Sequence, residues 1–443
     1  MNLFSINIEV VRPSKKNGSG QNKAKLTFIS LVTQPLIYPV LTTLFLTLFS
    51  TVSSAQTLQS YQQIAAENNP DLKASYLEFE AAMQRVNQVS ILEDPRLSFG
   101  YFISPIETRV GPQRAKVSLS QMFPWFGTLK AKENRANYLA QAKYQSFIND
   151  RNKLFWELSN AYYPLYEVQQ HVGLLGENLE ILTTYKRLAT SSFENNRGAM
   201  ADVIRVDILI ENAATELMIL KNQIAPLQVQ FNTFLNRSDS IPVVISDLTE
   251  LPPLENDYRK DSLLPENPQI KSLNFQQKAL KENELLAKKS ALPQFGVGLD
   301  YAFIGERSNV SIRDNGKDAF MPMISVSLPI FRQRYSSAIK EAQLNQQAIE
   351  YRKEAIENKL VSNYESATFN LNKARDLIAL YDVQIIKTKQ LIQLLYSSYS
   401  NSTKDFEEVL RMQQHLLKYQ MAKATAKKNY QISVAEIKYL TSN

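Results

Sequence analysis

Few residues of this chain are of the types that carry out chemistry. The 443-residue sequence has no cysteine and only two histidines, His171 and His415, which we expect on helix surfaces. Without cysteine there is no disulfide, no cysteine-ligated zinc and no thiol nucleophile. The sequence also lacks a glycine-rich phosphate loop, a Gly-x-Ser-x-Gly motif and a His-Glu-x-x-His motif. We therefore predict that the protein is not an enzyme and has no cofactor and no metal site.

The distribution of charge argues against a nucleic-acid partner. The formal net charge is +7, but residues 1–55 contribute five basic residues against Glu9, which is +4. The rest of the chain therefore carries only +3, and it contains no basic run interleaved with aromatic residues.

Charged residues do recur with a spacing of two in the stretch Asp94–Gly127. Two segments of it, at about 95–103 and 113–123, alternate apolar residues with polar or small ones. Arg114 and Lys116 fall on the polar side of the second segment. This alternation predicts two strands, and turn residues at Ser104-Pro105 and Gly111-Pro112 predict a hairpin between them.

A second hairpin has the same pattern, with strands at about 294–304 and 319–328 and with Asp300 on the polar side. Each strand has roughly the 9–11 residues of a tilted membrane strand. Four strands cannot close on themselves, and lipid does not tolerate an open sheet edge. Membrane strands would thus require an oligomer, and in a trimer Arg114, Lys116 and Asp300 would face the lumen. The residues expected to face lipid are Leu97, Phe99, Val117, Leu119, Val297 and Leu299.

Residues 1–55 are predicted to be a signal peptide or export leader. A basic segment ends at Lys25, an apolar stretch ends at Phe49, and Ser53-Ser54-Ala55 supplies small residues for cleavage. The alternative is an N-terminal membrane anchor.

The remaining chain repeats itself, with a first repeat at 56–235, a proline-rich equatorial connector at 236–266 and a second repeat at 267–443. Asn69-Pro70 matches Asn267-Pro268 at an offset of 198, and Val203 matches Val409 at an offset of 206. About seven extra residues lie in the second hairpin loop, at 305–318. A long helix is predicted after each hairpin, at 128–195 and 336–400, with Pro164 expected to kink the first. Returning helices are predicted at 200–235 and 405–440.

The order and duplication of these motifs resemble the TolC-like outer-membrane efflux protein family. The resemblance rests on the Asn-Pro helix starts, the Pro-Arg-Leu-Ser-Phe-Gly strand and the Phe-Pro-Trp-Phe-Gly exit. It implies a mainly α-helical homotrimer with a 12-stranded β-barrel in the outer membrane, continued by an α-helical barrel in the periplasm. It also implies a passive duct of a tripartite efflux system that exports drugs, toxic compounds or metal ions. Its partners would be outer-membrane lipid, a periplasmic adaptor and an inner-membrane pump.

The family places a gate at the turns of its two helix hairpins. The resemblance implies a latch between Asp202 and Lys404, and a gate that also includes Asp405, Glu408 and Arg411. Arg411 stands where many members have an acid, so a purely acidic ring is not expected. The tips that would dock the adaptor contain Asn196, Gly198 and Ser402, with Asn196 and Ser402 at the positions where the family has glycine.

Three other interpretations stay open. One is a type I protein-secretion duct in the outer membrane. The others are a periplasmic adaptor, which would need a lipoyl-like β domain, and a structural helical rod that transports nothing.

Overall fold

The computed structural model describes residues 57–246, 260, 263–308, 311–401 and 406–442. The predicted signal peptide, at 1–55, and much of the predicted connector lie outside these residues. The elements in chain order are α1 (Leu58–Asn68), α2 (Pro70–Val89), β1 (Arg96–Thr108), β2 (Gly111–Phe123), α3 (Thr128–Glu194), α4 (Met200–Phe234), α5 (Pro268–Ser290), β3 (Gln294–Ile304), β4 (Ala319–Ser327), α6 (Arg332–Asn401) and α7 (Phe406–Thr441).

The four strands form one antiparallel sheet in the order β1-β2-β3-β4. The two hairpins therefore join because β2 pairs with β3. Strands β1 and β4 are the outer edges of the sheet. The central pairing is long, from Phe123 opposite Phe295 to Gln113 opposite Ile304. The two hairpins predicted separately from the sequence are thus one continuous sheet.

The first hairpin does not turn at Ser104-Pro105 as predicted. β1 continues to Thr108, and the turn residues are Arg109 and Val110. Between Tyr101 and Ile106 the pairing with β2 shifts register. An irregularity of this kind accommodates Pro105, which has no N–H to donate to a neighbouring strand. A proline on an edge strand can therefore lie inside the strand, and it does so here.

An Asn-Pro pair begins a helix in each half of the chain. Asn69 Oδ1 accepts a hydrogen bond from the Leu72 N–H at 3.0 Å, and Asn267 Oδ1 accepts one from the Gln269 N–H at 2.9 Å. The proline that follows suits the first helical position because its missing N–H would have no partner there. Both asparagines also donate to the end of a returning helix, Asn69 to the Phe234 carbonyl at 3.3 Å and Asn267 to the Leu440 carbonyl at 2.9 Å.

The helices pack side by side in two overlapping layers. Near the sheet, α2 packs on α3, α3 on α5 and α5 on α6; farther away, α4 packs on α3, α3 on α7 and α7 on α6. The long helices α3 and α6 run through both layers. Pro164 lies inside α3, among buried residues that include Leu158 and Leu165. Within the part of the chain that the structure describes, no helix is long and apolar enough to cross a membrane.

Two tyrosine hydroxyls bind the backbone at the start of the connector and hold it against the helices. Tyr61 Oη accepts a hydrogen bond from the Val244 N–H, and Tyr162 Oη accepts one from the Ser246 N–H, each at 2.9 Å. Tyr61 is fully buried and stands edge-on to Phe231, with ring centroids 5.0 Å apart. Burial of these rings with their hydroxyls satisfied stabilises the junction of α1, α3 and α4.

Candidate functional site

The sheet has one apolar face and one polar face. Rows of directly paired residues cross all four strands, and successive rows point to opposite sides. One row contains Phe99, Val117, Tyr301 and Phe320; the next contains Ser98, Ser118, Asp300 and Met321. The sequence prediction of a two-faced sheet therefore agrees with the register.

The apolar face is uncovered in the single chain. Phe99 is 69% exposed and Ile324 is 84% exposed, although both side chains are large and apolar. Further exposed residues on this face are Leu97, Leu119, Phe295, Val297, Tyr301, Phe320 and Val326. A contiguous apolar surface of this kind indicates contact with lipid or with another protein.

The polar face holds an ion pair whose carboxylate is buried. Lys116 Nζ contacts Asp300 Oδ2, and Asp300 is only 3% exposed. A carboxylate so poorly exposed requires a cationic partner, because desolvation of an unpaired charge is very costly. The structure thus brings together Lys116 of the first hairpin and Asp300 of the second. Arg114 lies elsewhere, at the register shift of β2, with its guanidinium group against Gly305.

The loop after β3 folds onto the first hairpin. Arg307 Nη2 donates to the Thr108 carbonyl at 2.7 Å and contacts Glu107 Oε2 at 3.1 Å. The Gly305 N–H donates to the Pro112 carbonyl, and the Gly316 N–H donates to the Val110 carbonyl. The extra residues predicted in this loop therefore include the groups that join the ends of the two hairpins.

The turn between α3 and α4 shows why asparagine can stand in place of glycine. Asn196 has a φ of 57°, in the left-handed region that asparagine tolerates better than most residues. The Asn196 N–H donates to the Phe193 carbonyl, and the Arg197 N–H donates to the Ser192 carbonyl. This is the Schellman arrangement that commonly ends helices. Gly198 suits the turn for a different reason, because a Cβ there would lie 3.0 Å from the Cβ of Ser192 and would crowd it.

An arginine joins the ends of the two helix hairpins. Arg205 Nη1 contacts Asp202 Oδ1 at 3.1 Å on the same helix, and Arg205 Nη2 contacts Glu407 Oε2 at 3.2 Å on α7. Asp202 was predicted from the sequence, but the pairing of Arg205 with Glu407 was not. The available signal was the spacing of three residues between Asp202 and Arg205, which lie on one helical face.

The other predicted residues of this end are only partly described. Ser402, Lys404 and Asp405 lie outside the described residues, so the Asp202–Lys404 latch stays a prediction. Glu408 and Arg411 form an ion pair along α7. The hydrogen bond from Arg411 to Glu408, with the charge of that carboxylate, raises the pKa of the Arg411 guanidinium above its ordinary value.

Aromatic and apolar contacts hold the same end together. Tyr399 Oη donates to Ser192 Oγ at 3.1 Å, which links α6 to α3. Phe406 packs between the rings of Tyr185 and Tyr399, at centroid distances of 5.8 and 5.0 Å. The buried cluster around them includes Leu182, Val203, Val206, Val409 and Leu410. The charged residues at this end of the helices therefore lie next to a packed apolar cluster.

Comparisons with known proteins agree with this architecture. The family model for "Outer membrane efflux protein" matches residues 261–443. Outer membrane protein TolC of Salmonella enteritidis is 24% identical over 428 residues, which cover 91% of this chain and 85% of the relative. Over residues 261–443 the chain therefore matches the outer membrane efflux protein family, and over most of its length it is similar to TolC.

Solved structures share the fold of this chain. The outer-membrane channel OprN matches with a TM-score of 0.71 at 18% identity, over 87% of this chain and 89% of OprN. The outer membrane protein VceC of Vibrio cholerae matches with a TM-score of 0.70 at 15% identity, over 87% of this chain and 96% of VceC. The chain thus has the mainly helical fold of these outer-membrane proteins, and its two-faced sheet is the candidate functional surface.

Proposed function

We propose that this chain forms a homotrimeric duct that exports small molecules through the outer membrane. The observation that carries the proposal is the four-stranded sheet with an apolar face and with β1 and β4 as edges. Among the described residues no strand covers those edges, and lipid would leave their backbone groups without partners. Three copies joined from β4 to β1 would close a barrel of 12 strands.

The helices support the same closure. In the layer far from the sheet the order α4-α3-α7-α6 makes α4 and α6 its outer members. Both expose apolar side chains: Ile204, Ile208, Met218 and Ile219 on α4, and Val383, Ile386 and Leu394 on α6. Different surfaces of one protomer that face each other around a ring form a closed cyclic interface. Burial of these side chains would then contribute to assembly.

In this arrangement the polar face of the sheet lines the lumen and the helices continue the duct into the periplasm. The two halves of the chain would act as structural repeats on either side of the connector. The helix-hairpin ends form the gate, where Asp202, Lys404, Asp405, Glu408 and Arg411 would surround the opening. The tips around Asn196, Gly198 and Ser402 would dock a periplasmic adaptor, through which an inner-membrane pump supplies the energy. The cargo class is small molecules: drugs, toxic compounds or metal ions.

Conductance of the purified protein in planar bilayers tests the proposal. The mature chain should insert as discrete units with long-lived, stepwise conductance. Deletion of the second hairpin, residues 294–327, should abolish the steps because it leaves too few strands for a closed wall. A wild-type protein that inserts into bilayers without conducting would contradict the proposal.

A further inference from the structure

A groove of about 1630 Å³ lies on one face of the helical layer next to the sheet. It is lined by residues of α2, α3, α5 and α6, which pack in that order. One groove that touches four helices of a single layer must lie on the concave side of that layer. In the proposed trimer the concave side faces the tunnel, so this inference rests on the proposed function.

Basic residues are prominent in the lining of the groove. Arg85, Arg135 and Arg352 are exposed and Lys132 is half-buried, and all four line it. Within the described part of the chain none of the four forms an ion pair, whereas Lys143, which also lines the groove, contacts Glu78 at 2.7 Å. We call these four residues the basic band.

Contacts between the helices give the height of each residue, which is its distance from the sheet along the helix axes. Lys143 contacts Glu78, and Arg85 and Ala136 each lie seven residues from that pair toward the sheet, so Arg85 and Arg135 are at nearly the same height. Asn134 of α3 contacts Glu282 of α5, and Gln277 of α5 contacts Glu350 of α6. These contacts place Arg352 near residue 141 of α3, about 9 Å farther from the sheet than Arg135.

The acidic residues of the groove lie closer to the sheet than the basic band. Glu93 and Asp94 follow α2 at the end next to the sheet. By the same contacts, Glu341 of α6 lies near residue 130 of α3, closer to the sheet than Lys132. Lys132 is therefore only about 3 Å above Glu341, whereas Arg135 and Arg352 lie about 8 and 17 Å beyond that carboxylate, so the two arginines have no acid of the groove at their own height.

We propose that the basic band binds the phosphate, sulfonate or carboxylate groups of anionic small molecules on their way through the duct. Arginine suits this role because its planar fork donates two hydrogen bonds to one oxyanion. A trimer would present twelve such cations around the tunnel, and a charged lining of one sign raises the local concentration of counter-ions. The band therefore favours anionic cargo.

Block of single-trimer conductance by inorganic tripolyphosphate tests the assignment. Arg135→Gln and Arg352→Gln each remove three charges per trimer, from different helices. Each should raise the blocking concentration about tenfold. The matched control is Lys130→Gln, because Lys130 lies on α3 two residues from Lys132, pairs with Glu133 and does not line the groove. Its blocking concentration should equal that of wild type.

The outcomes separate this inference from the proposed function. If wild type conducts but tripolyphosphate does not block it, or blocks all variants equally, the basic band does not bind anions. Equal weakening by Lys130→Gln would show an effect of net charge alone and would also overturn the assignment. Trimer mass and unblocked conductance identify any variant that fails to assemble. If one arginine variant fails, the blocking concentration of the variant on the other helix decides whether the basic band binds anions. A wild type that does not conduct contradicts the proposed function itself.

Discussion

The two halves of the described chain, within 57–246 and 263–442, share the order helix, strand hairpin, long helix and returning helix, but the first half has an additional helix, α1, and the ends of the halves differ. Asn69 and Asn267 play the same part in each, capping one helix and binding the end of another. Asp202 and Glu408 are 206 residues apart, and each has an arginine three residues later, Arg205 and Arg411. The same charge pair therefore recurs at the start of both returning helices.

One difference between the halves extends this ion pair within a helix to a contact between the two halves. Arg411 contacts Glu408 on its own helix, whereas Arg205 contacts both Asp202 and Glu407. The residue of the first half that corresponds to Glu407 is Ala201, which cannot pair with Arg411. A single change between equivalent positions thus gives a contact between the halves in one direction only. The equivalent arginines thus make the same contact within a helix, and the difference at Glu407 adds a contact between the halves.

The largest expected effect tests whether both halves contribute equally to the wall. Val117→Arg in the first half and Ile324→Arg in the second should each sharply reduce trimer in the outer-membrane fraction. A cation on a lipid-facing strand costs about 2–4 kcal/mol near the midplane. The matched controls Ser118→Arg and Ser325→Arg, on the polar face, should leave most of the trimer.

Two results would break this comparison. Equal losses on both faces would mean that the apolar face does not contact lipid. A loss confined to Val117→Arg would mean that the second hairpin is not part of the membrane wall.

An effect of intermediate size should come from the Asn-Pro caps. Asn267→Ala removes a cap worth about 0.5–2 kcal/mol and leaves the buried Leu440 carbonyl without its donor. We expect a larger loss than for Asn69→Ala, whose donated bond is longer, 3.3 Å against 2.9 Å. Urea unfolding followed by helical circular dichroism measures both. Asn87→Ala, at an exposed position of α2, is the control; a stability change as large as that of Asn267→Ala would contradict the role of the caps.

The smallest effect should distinguish the two arginines. Arg205→Ala removes the link between the halves, while Arg411→Ala removes a pair within one helix. An exposed ion pair is worth only about 0–1 kcal/mol, although a trimer contains three copies. Resting conductance should rise for Arg205→Ala, with a smaller difference at high salt because exposed charges are screened. Arg411→Ala should raise conductance less, because it breaks no contact between the halves, and an equal rise in both variants would show that the link between the halves does not matter.

The sequence predicted the elements better than their contacts. Alternation and Asn-Pro starts depend on residues close in the chain, so β3 was predicted with the bounds 294–304 that the structure shows. The extension of β1 past Pro105 depends on its position at the sheet edge, which local pattern does not reveal. The Lys116–Asp300 and Arg205–Glu407 pairs each join residues about 200 positions apart. Such pairs follow from how the halves pack, and a single sequence does not contain that information directly.

The mass of the purified mature protein in detergent tests the central claim most directly. The account predicts that light scattering, corrected for bound detergent, gives three copies of the chain, because the edges β1 and β4 and the apolar sides of α4 and α6 need partners. A folded, stable monomer with full helical content would contradict it.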